Sequence, residues 1–315
     1  MNRPLIAVDW GTTSLRGALL DGQGKVVAQH ASPQGILAVP TGKFAAIFEA
    51  NFEPFTRASG VFDDRAPCLT LISGMAGSQQ GWVEAPYCPC PAGFDELAAK
   101  LKWLVPGQMA IVPGLSCEHS HTADVKNLHS IPDVMRGEEV QVFGALQKLG
   151  WQDATVVLPG THSKWVTAQG QYITGFRTYM TGEVFALLRQ HSLLARTLPS
   201  LAEGTPAEVF DAAAFDEGVA HALRSASLLA TAFSTRTLSL FGRKAPMALA
   251  SYLSGLVIGE ELRAQSPAQG SSVIVVGSDT LCQRYTQALA QCGVTTHVMG
   301  AEATWHGLWA LAQTL

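Results

Sequence analysis

The chain has 315 residues, enough for two ordinary domains, and is 47% hydrophobic with only 15% charged residues. That composition excludes a disordered chain. Its formal charge is -4 (21 Lys+Arg against 25 Asp+Glu) with no long basic run, which argues against nucleic acid as a partner.

The opening reads as a three-strand meander. Leu5–Val8 is the first strand, Ser14–Leu20 the second, and Lys25–Gln29 the third after an Asp21-Gly22-Gln23-Gly24 hairpin signal. Asp9 interrupts the first apolar run too early for a signal peptide. A helix is predicted near Lys43–Thr56. Cys68–Ile72 is a strand ending in the Gly-rich loop Ser73–Trp82. Glu138 and Glu139 open an apolar-periodic helix. The opening grammar then returns: strand Thr155–Leu158, turn Gly160-Thr161-His162-Ser163, strand Lys164–Ala168, turn Gln169–Gln171 and strand Tyr172–Thr174. Two copies half a chain apart point to an internal duplication. Ala207–Phe233 and Pro246–Ala264 carry helical patterns, Val273–Val276 is a buried strand before Gly277-Ser278 and an amphipathic helix, and a strand and helix close the chain. The expected fold is α/β, two domains on mixed sheets, 1–131 and 132–315.

The six scattered cysteines predict a reduced, cytoplasmic protein. No apolar stretch is long enough to span a bilayer, so no membrane partner is expected. The helical C-terminal half offers surfaces for self-pairing into a homo-oligomer.

The chemistry concentrates at the turns. Gly11 lets backbone approach an anion, and Thr12 and Thr13 add hydroxyl donors. A carboxylate beside phosphates repels them unless a cation intervenes, so Asp9 suits Mg²⁺ held mainly through phosphates and waters. The same residues also make a plain hairpin with an Asp-capped turn. The second copy has no acid but carries His162 and Lys164 beside Gly160 and Thr161, which suits direct phosphate donors. Gly277-Ser278, between a strand and a helix, is a usual place for a nucleotide. Glu138 reads either as an acidic first helix turn or as a general base. Cys117, His119, His121 and Asp124 cluster in "CEHSHTAD", which a polar loop explains better than a metal.

The order "DWGTTSLRG", "RGEEVQVFGA", "LPGTHSKW", "VVGSDTLCQRYTQALAQCG" resembles the sugar-kinase and actin-like ATPase superfamily. Glu138 falls where the related FGGY carbohydrate kinases carry an aspartate base. Over nearly its whole length the chain resembles the 2-dehydro-3-deoxygalactonokinase family, through "SGMAGSQQGW", "APYCPCPAG", "IVPGL", "PDVMRGEEVQ", "PGTHSKWV", "FRTYMTGEVF" and "YLSGLVIGEEL". The resemblance implies two duplicated RNase H-like domains with ATP in the cleft, and ATP-dependent phosphorylation of a 2-keto-3-deoxy sugar acid. It implies Asp9 on Mg²⁺, Gly11, Thr12, Thr13, Gly160, Thr161, His162 and Lys164 on phosphates, Gly277 and Ser278 near adenosine, and Glu138 as base. A sugar acid needs an arginine for its carboxylate. Arg16, Arg136 and Arg177 are the candidates, and Gly74, Met75, Ser78 and Trp82 of the Gly-rich loop are expected to line the sugar pocket.

Overall fold

The opening meander forms where its turn residues place it. The structure is a computed structural model and describes residues 3–57, 68–119, 130–199 and 209–315. Strands β1 (Leu5–Trp10), β2 (Leu15–Leu20) and β3 (Val26–Ser32) follow in sequence, then helix α1 (Phe44–Arg57) and strand β4 (Leu69–Gly74). The Asp21 carboxylate accepts the Gln23 and Lys25 N–H groups and closes the β2–β3 hairpin. β1 runs through Asp9 to Trp10, further than its apolar run predicts. Pairing on both edges carries it on: Asp9 lies opposite Arg16 of antiparallel β2 and Ser73 of parallel β4.

Next come β5 (Tyr87–Pro89), α2 (Phe94–Ala99), β6 (Lys102–Val105), β7 (Met109–Ile111), β8 (Gly114–His119) and β9 (Ile131–Met135). α3 (Glu138–Leu149) leads to β10 (Ala154–Leu158), β11 (Ser163–Gln169) and β12 (Tyr172–Tyr179). The helices α4 (Thr181–His191), α5 (Ala212–Leu223), α6 (Leu228–Thr231), α7 (Ser234–Leu240) and α8 (Pro246–Gln265) follow. β13 (Ser272–Val276), α9 (Asp279–Ala290), β14 (Thr295–Met299) and α10 (Glu302–Ala312) complete the chain.

The sheet orders are β3-β2-β1-β4-β7-β6, β12-β11-β10-β13-β14 and β5-β8-β9. The first two share one plan: a three-strand meander whose first strand sits beside the strand that enters after a helical excursion. The fold is therefore α/β with mixed sheets, as expected.

Two expectations change. The helical run Ala207–Phe233 is broken: residues 207–208 lie outside the described residues, α5 ends at Leu223, and α6 starts afresh at Leu228. Ser227 accepts the Leu229 N–H at 3.1 Å and so caps the new helix. The expected division after residue 131 is also not where packing divides the chain. One compact unit comprises Met1–Val156, Val166–Arg177 and Met299–Leu315, and the other Val157–Trp165 and Thr178–Val298. β9 and α3 belong to the first unit because α3 packs against α10 there. Its core gathers Ile6, Val8, Trp10, Phe44, Phe48, Phe52 and Ile72. The second unit's core gathers Phe215, Val219, Leu262, Val273, Val275, Tyr285 and Leu289.

Candidate active site

In the first unit, three chain segments converge on Asp9. Its carboxylate, on β1, pairs with the Arg16 guanidinium. β4 ends beside it at Gly74, whose φ is +92°; a Cβ there would stand 2.8 Å from the Trp10 carbonyl oxygen and 3.3 Å from Asp9 Oδ1. Only glycine fits that combination of space and backbone angle. Gly137, with φ +106°, precedes α3, and a Cβ on it would lie 3.1 Å from the Gly74 Cα. The ends of β1 and β4 and the N-terminus of α3 thus meet. Ser73 adds a fully buried hydroxyl with no hydrogen-bond partner among the described residues. The sequence marked this loop by its glycines but not Ser73 itself.

The two glutamates at the start of α3 differ sharply. Glu139 is fully buried and both its oxygens take the Gly137 N–H, at 2.8 and 3.0 Å. Burial, reinforced by the neighbouring Glu138, pushes its pKa up to about 8. Glu138 is half-buried, and its Oε2 accepts the Arg136 backbone N–H at 2.9 Å. Both acids sit at the positive end of the helix dipole.

The Gly11–Ser14 turn is braced from behind. Gly11 N–H donates to the Ser14 carbonyl (2.9 Å), while Ile36 and Leu37 donate to the Gly11 and Thr12 carbonyls (3.0 and 3.2 Å). Thr12 and Thr13 stay exposed.

The three candidate arginines have separate fates. Arg16 is committed to Asp9, and Arg177 is exposed on β12. Arg136 is 9% exposed; Nη2 donates to the Ala85 carbonyl at 2.9 Å and the guanidinium lies 4.4 Å from the Tyr87 ring centre. Its Nε and Nη1 are buried with no hydrogen-bond partner among the described residues, an unusual state for a charged group. Nη1 lies close under Gly77 of the Gly-rich loop, 2.9 Å from where a Cβ would stand. Within that loop Ser78 Oγ donates to the Met75 carbonyl at 2.8 Å. Trp82 packs 5.8 to 6.5 Å from Trp10, Phe44 and Phe48, so it belongs to the aromatic core.

In the second unit, the Gly160–Ser163 turn rests on α4. A Cβ on Gly182 would come within 2.5 Å of the Gly160 carbonyl oxygen, and Glu183 N–H donates to the Thr161 carbonyl at 3.1 Å. His162 pairs with Glu183 at 2.6 Å. Lys164 is buried and donates to Thr178 Oγ1 at 2.8 Å, which places it in the sheet and not on the turn's surface. Gly277 lies beside Pro159, so the Gly277-Ser278 turn neighbours Gly160. Ser278 is the N-cap position of α9. A small cavity of about 50 Å³ is lined by Gly160, Thr181, Gly182, Phe185, Ser254, Val257, Ile258, Leu281, Arg284 and Tyr285.

The expected polar loop is in part strand: on β8 His119 lies 3.9 Å from Cys117 Sγ and pairs with Asp133 of β9 at 3.3 Å. His121 and Asp124 lie outside the described residues, and among the described residues no group of three or more candidate metal ligands occurs.

The 2-keto-3-deoxy-galactonokinase family model matches residues 9–311. The chain belongs to this family. It is 34% identical over 98% of its length to a Rhizobium meliloti (strain 1021) protein named "Probable 2-dehydro-3-deoxygalactonokinase DgoK1", covering 96% of that protein. It is 32% identical over its full length to the Escherichia coli (strain K12) 2-dehydro-3-deoxygalactonokinase, covering 99% of it. A crystal structure from Sinorhizobium meliloti, assigned as a 2-dehydro-3-deoxygalactonokinase, superposes with a TM-score of 0.80 at 32% identity, over 99% of this chain and 96% of that one. The galactonokinase segments quoted from the sequence therefore belong to a family match that spans both units.

Proposed function

We propose that the protein transfers the terminal phosphoryl group of ATP to the 6-hydroxyl of 2-dehydro-3-deoxy-D-galactonate, giving 2-dehydro-3-deoxy-6-phosphogalactonate and ADP. The observation that carries this reading is the meeting of Asp9, Gly74 and Gly137, the residue that leads into Glu138, in a chain of the galactonokinase family. Phosphoryl transfer leaves a protein little covalent work, so positioning and charge neutralisation dominate.

Glu138 is the base that orients and deprotonates the 6-hydroxyl. It is half-buried and held by the Arg136 N–H, whereas Glu139 is enclosed and keeps its proton at neutral pH. Arg136, beside the Gly-rich loop, is the candidate for the substrate carboxylate, its Nε and Nη1 having no partner among the described residues and needing the loop to shift to reach it. Gly74, Met75 and Ser78 line the sugar side. Gly11, Thr12 and Thr13 meet phosphate oxygens, as do Gly160 and Thr161. Gly277 and Ser278, just before and at the start of α9, lie near the adenosine.

The residues around Asp9 fit Mg²⁺ in one form. Asp9 is a single carboxylate already paired with Arg16, which suits contact through water, the remaining ligands being phosphates and solvent. When bound, the ion neutralises charge on the phosphates. The six cysteines, few and scattered along the chain, suit a reducing cytoplasm, and no helix among the described residues is long and apolar enough to cross a membrane.

The test is a coupled ADP-release assay with ATP, Mg²⁺ and a panel of 2-keto-3-deoxy sugar acids. Turnover should depend on the acid and be fastest with the galactonate. ATP hydrolysis indifferent to every acid would instead favour an actin-like nucleotide-binding regulator.

A further inference from the structure

Glu261 belongs to "YLSGLVIGEEL", a segment that none of the roles above uses. It stands on α8 and is 2% exposed, yet its carboxylate serves four side chains. Oε1 accepts from Ser163 Oγ at 2.8 Å and from Trp165 Nε1 at 2.6 Å. Oε2 accepts from the Tyr285 hydroxyl at 2.7 Å and from the Thr181 hydroxyl. A buried carboxylate is tolerated only when its oxygens are satisfied, and here both are satisfied twice.

These donors come from the elements that carry the nucleotide turns. Ser163 and Trp165 begin β11, directly after Gly160 and Thr161. Thr181 opens α4 beside Gly182, which presses on the Gly160 carbonyl. Tyr285 sits on α9, two turns beyond Ser278. All lie in the second unit. Thr181 and Tyr285 also line the cavity next to Gly160, so the carboxylate lies behind that wall and not in it.

We infer that Glu261 is the positioning residue of the nucleotide half of the site, fixing the Gly160–Thr161 turn, the start of α4 and α9 in the arrangement that binds ATP, without touching ATP itself. The inference rests on the kinase reading above. A merely structural role would lower stability and weaken both substrates alike. A positioning role weakens the nucleotide selectively.

The experiment measures ADP binding by calorimetry and both KM values for the full chain and for Glu261→Ala, Glu261→Gln and Ser163→Ala. Glu261→Ala should weaken ADP binding and raise the ATP KM by about tenfold or more, with the sugar-acid KM within about twofold. Glu261→Gln should largely rescue it: the amide oxygen still accepts from Trp165 and Ser163, and the amide N–H groups face hydroxyls that accept as well as donate. If Glu261→Ala does not fold, Ser163→Ala removes one donor outside the cavity and should raise the ATP KM alone by about threefold. Wild-type ADP affinity in a folded Glu261→Ala, equal losses for both substrates, or an unchanged ATP KM in Ser163→Ala overturns the inference. Absence of acid-dependent turnover and ADP binding in the wild-type chain is a different result, which overturns the kinase reading itself.

Discussion

Two adjacent glutamates at the start of α3 have different environments, one enclosed and one half-buried. Glu139 is enclosed, and burial raises its pKa from 4.5 to about 8. Below 4.5 the carboxyl is neutral in folded and unfolded chains alike. Between there and about 8 only the folded chain holds the proton, so this group's contribution to stability is lost as pH rises through that window. Glu139→Gln is neutral at every pH and should flatten the decline, read as urea midpoints across the window; parallel slopes for wild type and variant would refute the assignment. Glu138→Gln should narrow the decline without abolishing it, because burial is the larger cause of the Glu139 shift and the Glu138 charge the smaller one, and should cut kcat with ATP affinity little changed. Asp9→Asn should lower kcat by about 10²–10³-fold while the chain stays folded, if the acid anchors the phosphate side as proposed. Near-wild-type turnover in the coupled assay would remove Asp9 from the reaction. Arg16 would then be the reason the acid is there, since the pair has a structural use of its own.

Among the elements, α3 shows what the sequence made legible and what it hid. Its start was readable, because two acids precede an apolar-periodic run. Its partner was not. Gly144 of α3 would place a Cβ 1.7 Å from the Ala303 carbonyl oxygen, and Gly307 of α10 one 1.9 Å from the Val140 carbonyl oxygen. The two helices cross backbone to backbone, through residues so far apart in sequence that no local period reports the contact. α5 and α8 repeat the device in the second unit: a Cβ on Gly218 would stand 2.2 Å from the Tyr252 carbonyl oxygen and one on Gly255 2.1 Å from the Phe215 carbonyl oxygen. The short strands β5 to β9 escaped for another reason. They carry Pro89 and Pro132, and several of their positions are exposed, so alternation is faint. The turns at Gly11, Gly160 and Gly277 were legible because strand, glycine and hydroxyl follow one another locally. The Glu261 hub was not, since its partners at 163, 165, 181 and 285 are brought together only by folding. Gly144→Ala should cost about 1–3 kcal/mol or more, because a carbonyl on a packed helix must move. Gly175→Ala, where a Cβ meets nothing within 4 Å, is the control and should stay within about 0.5 kcal/mol. Equal melting temperatures for the two variants would contradict the close crossing.

At the scale of the whole molecule, the first unit is assembled from three stretches of chain, and its last piece arrives at the very end. α10 packs on α3 and on β1, the elements that carry Glu138 and Asp9. It buries Trp305, Leu308 and Leu311. The two leucines alone contribute about 1.5–3 kcal/mol each, set against a total margin of about 5–15 kcal/mol for a folded protein. The tryptophan and the α3 backbone contact add to that. A chain ending at Gly300 therefore loses a large part of the margin of one unit, although it keeps every residue assigned to the reaction. Phe215, Val219, Leu262 and Tyr285 of the second unit's core are all retained. Limited proteolysis followed by mass spectrometry should find new cuts within 3–156, with 178–298 persisting, and phosphoryl transfer should disappear. Even protection along the truncated chain, or transfer at the wild-type rate, would show that α10 is dispensable and that β1, β4 and α3 hold Asp9, Gly74 and Glu138 together without it.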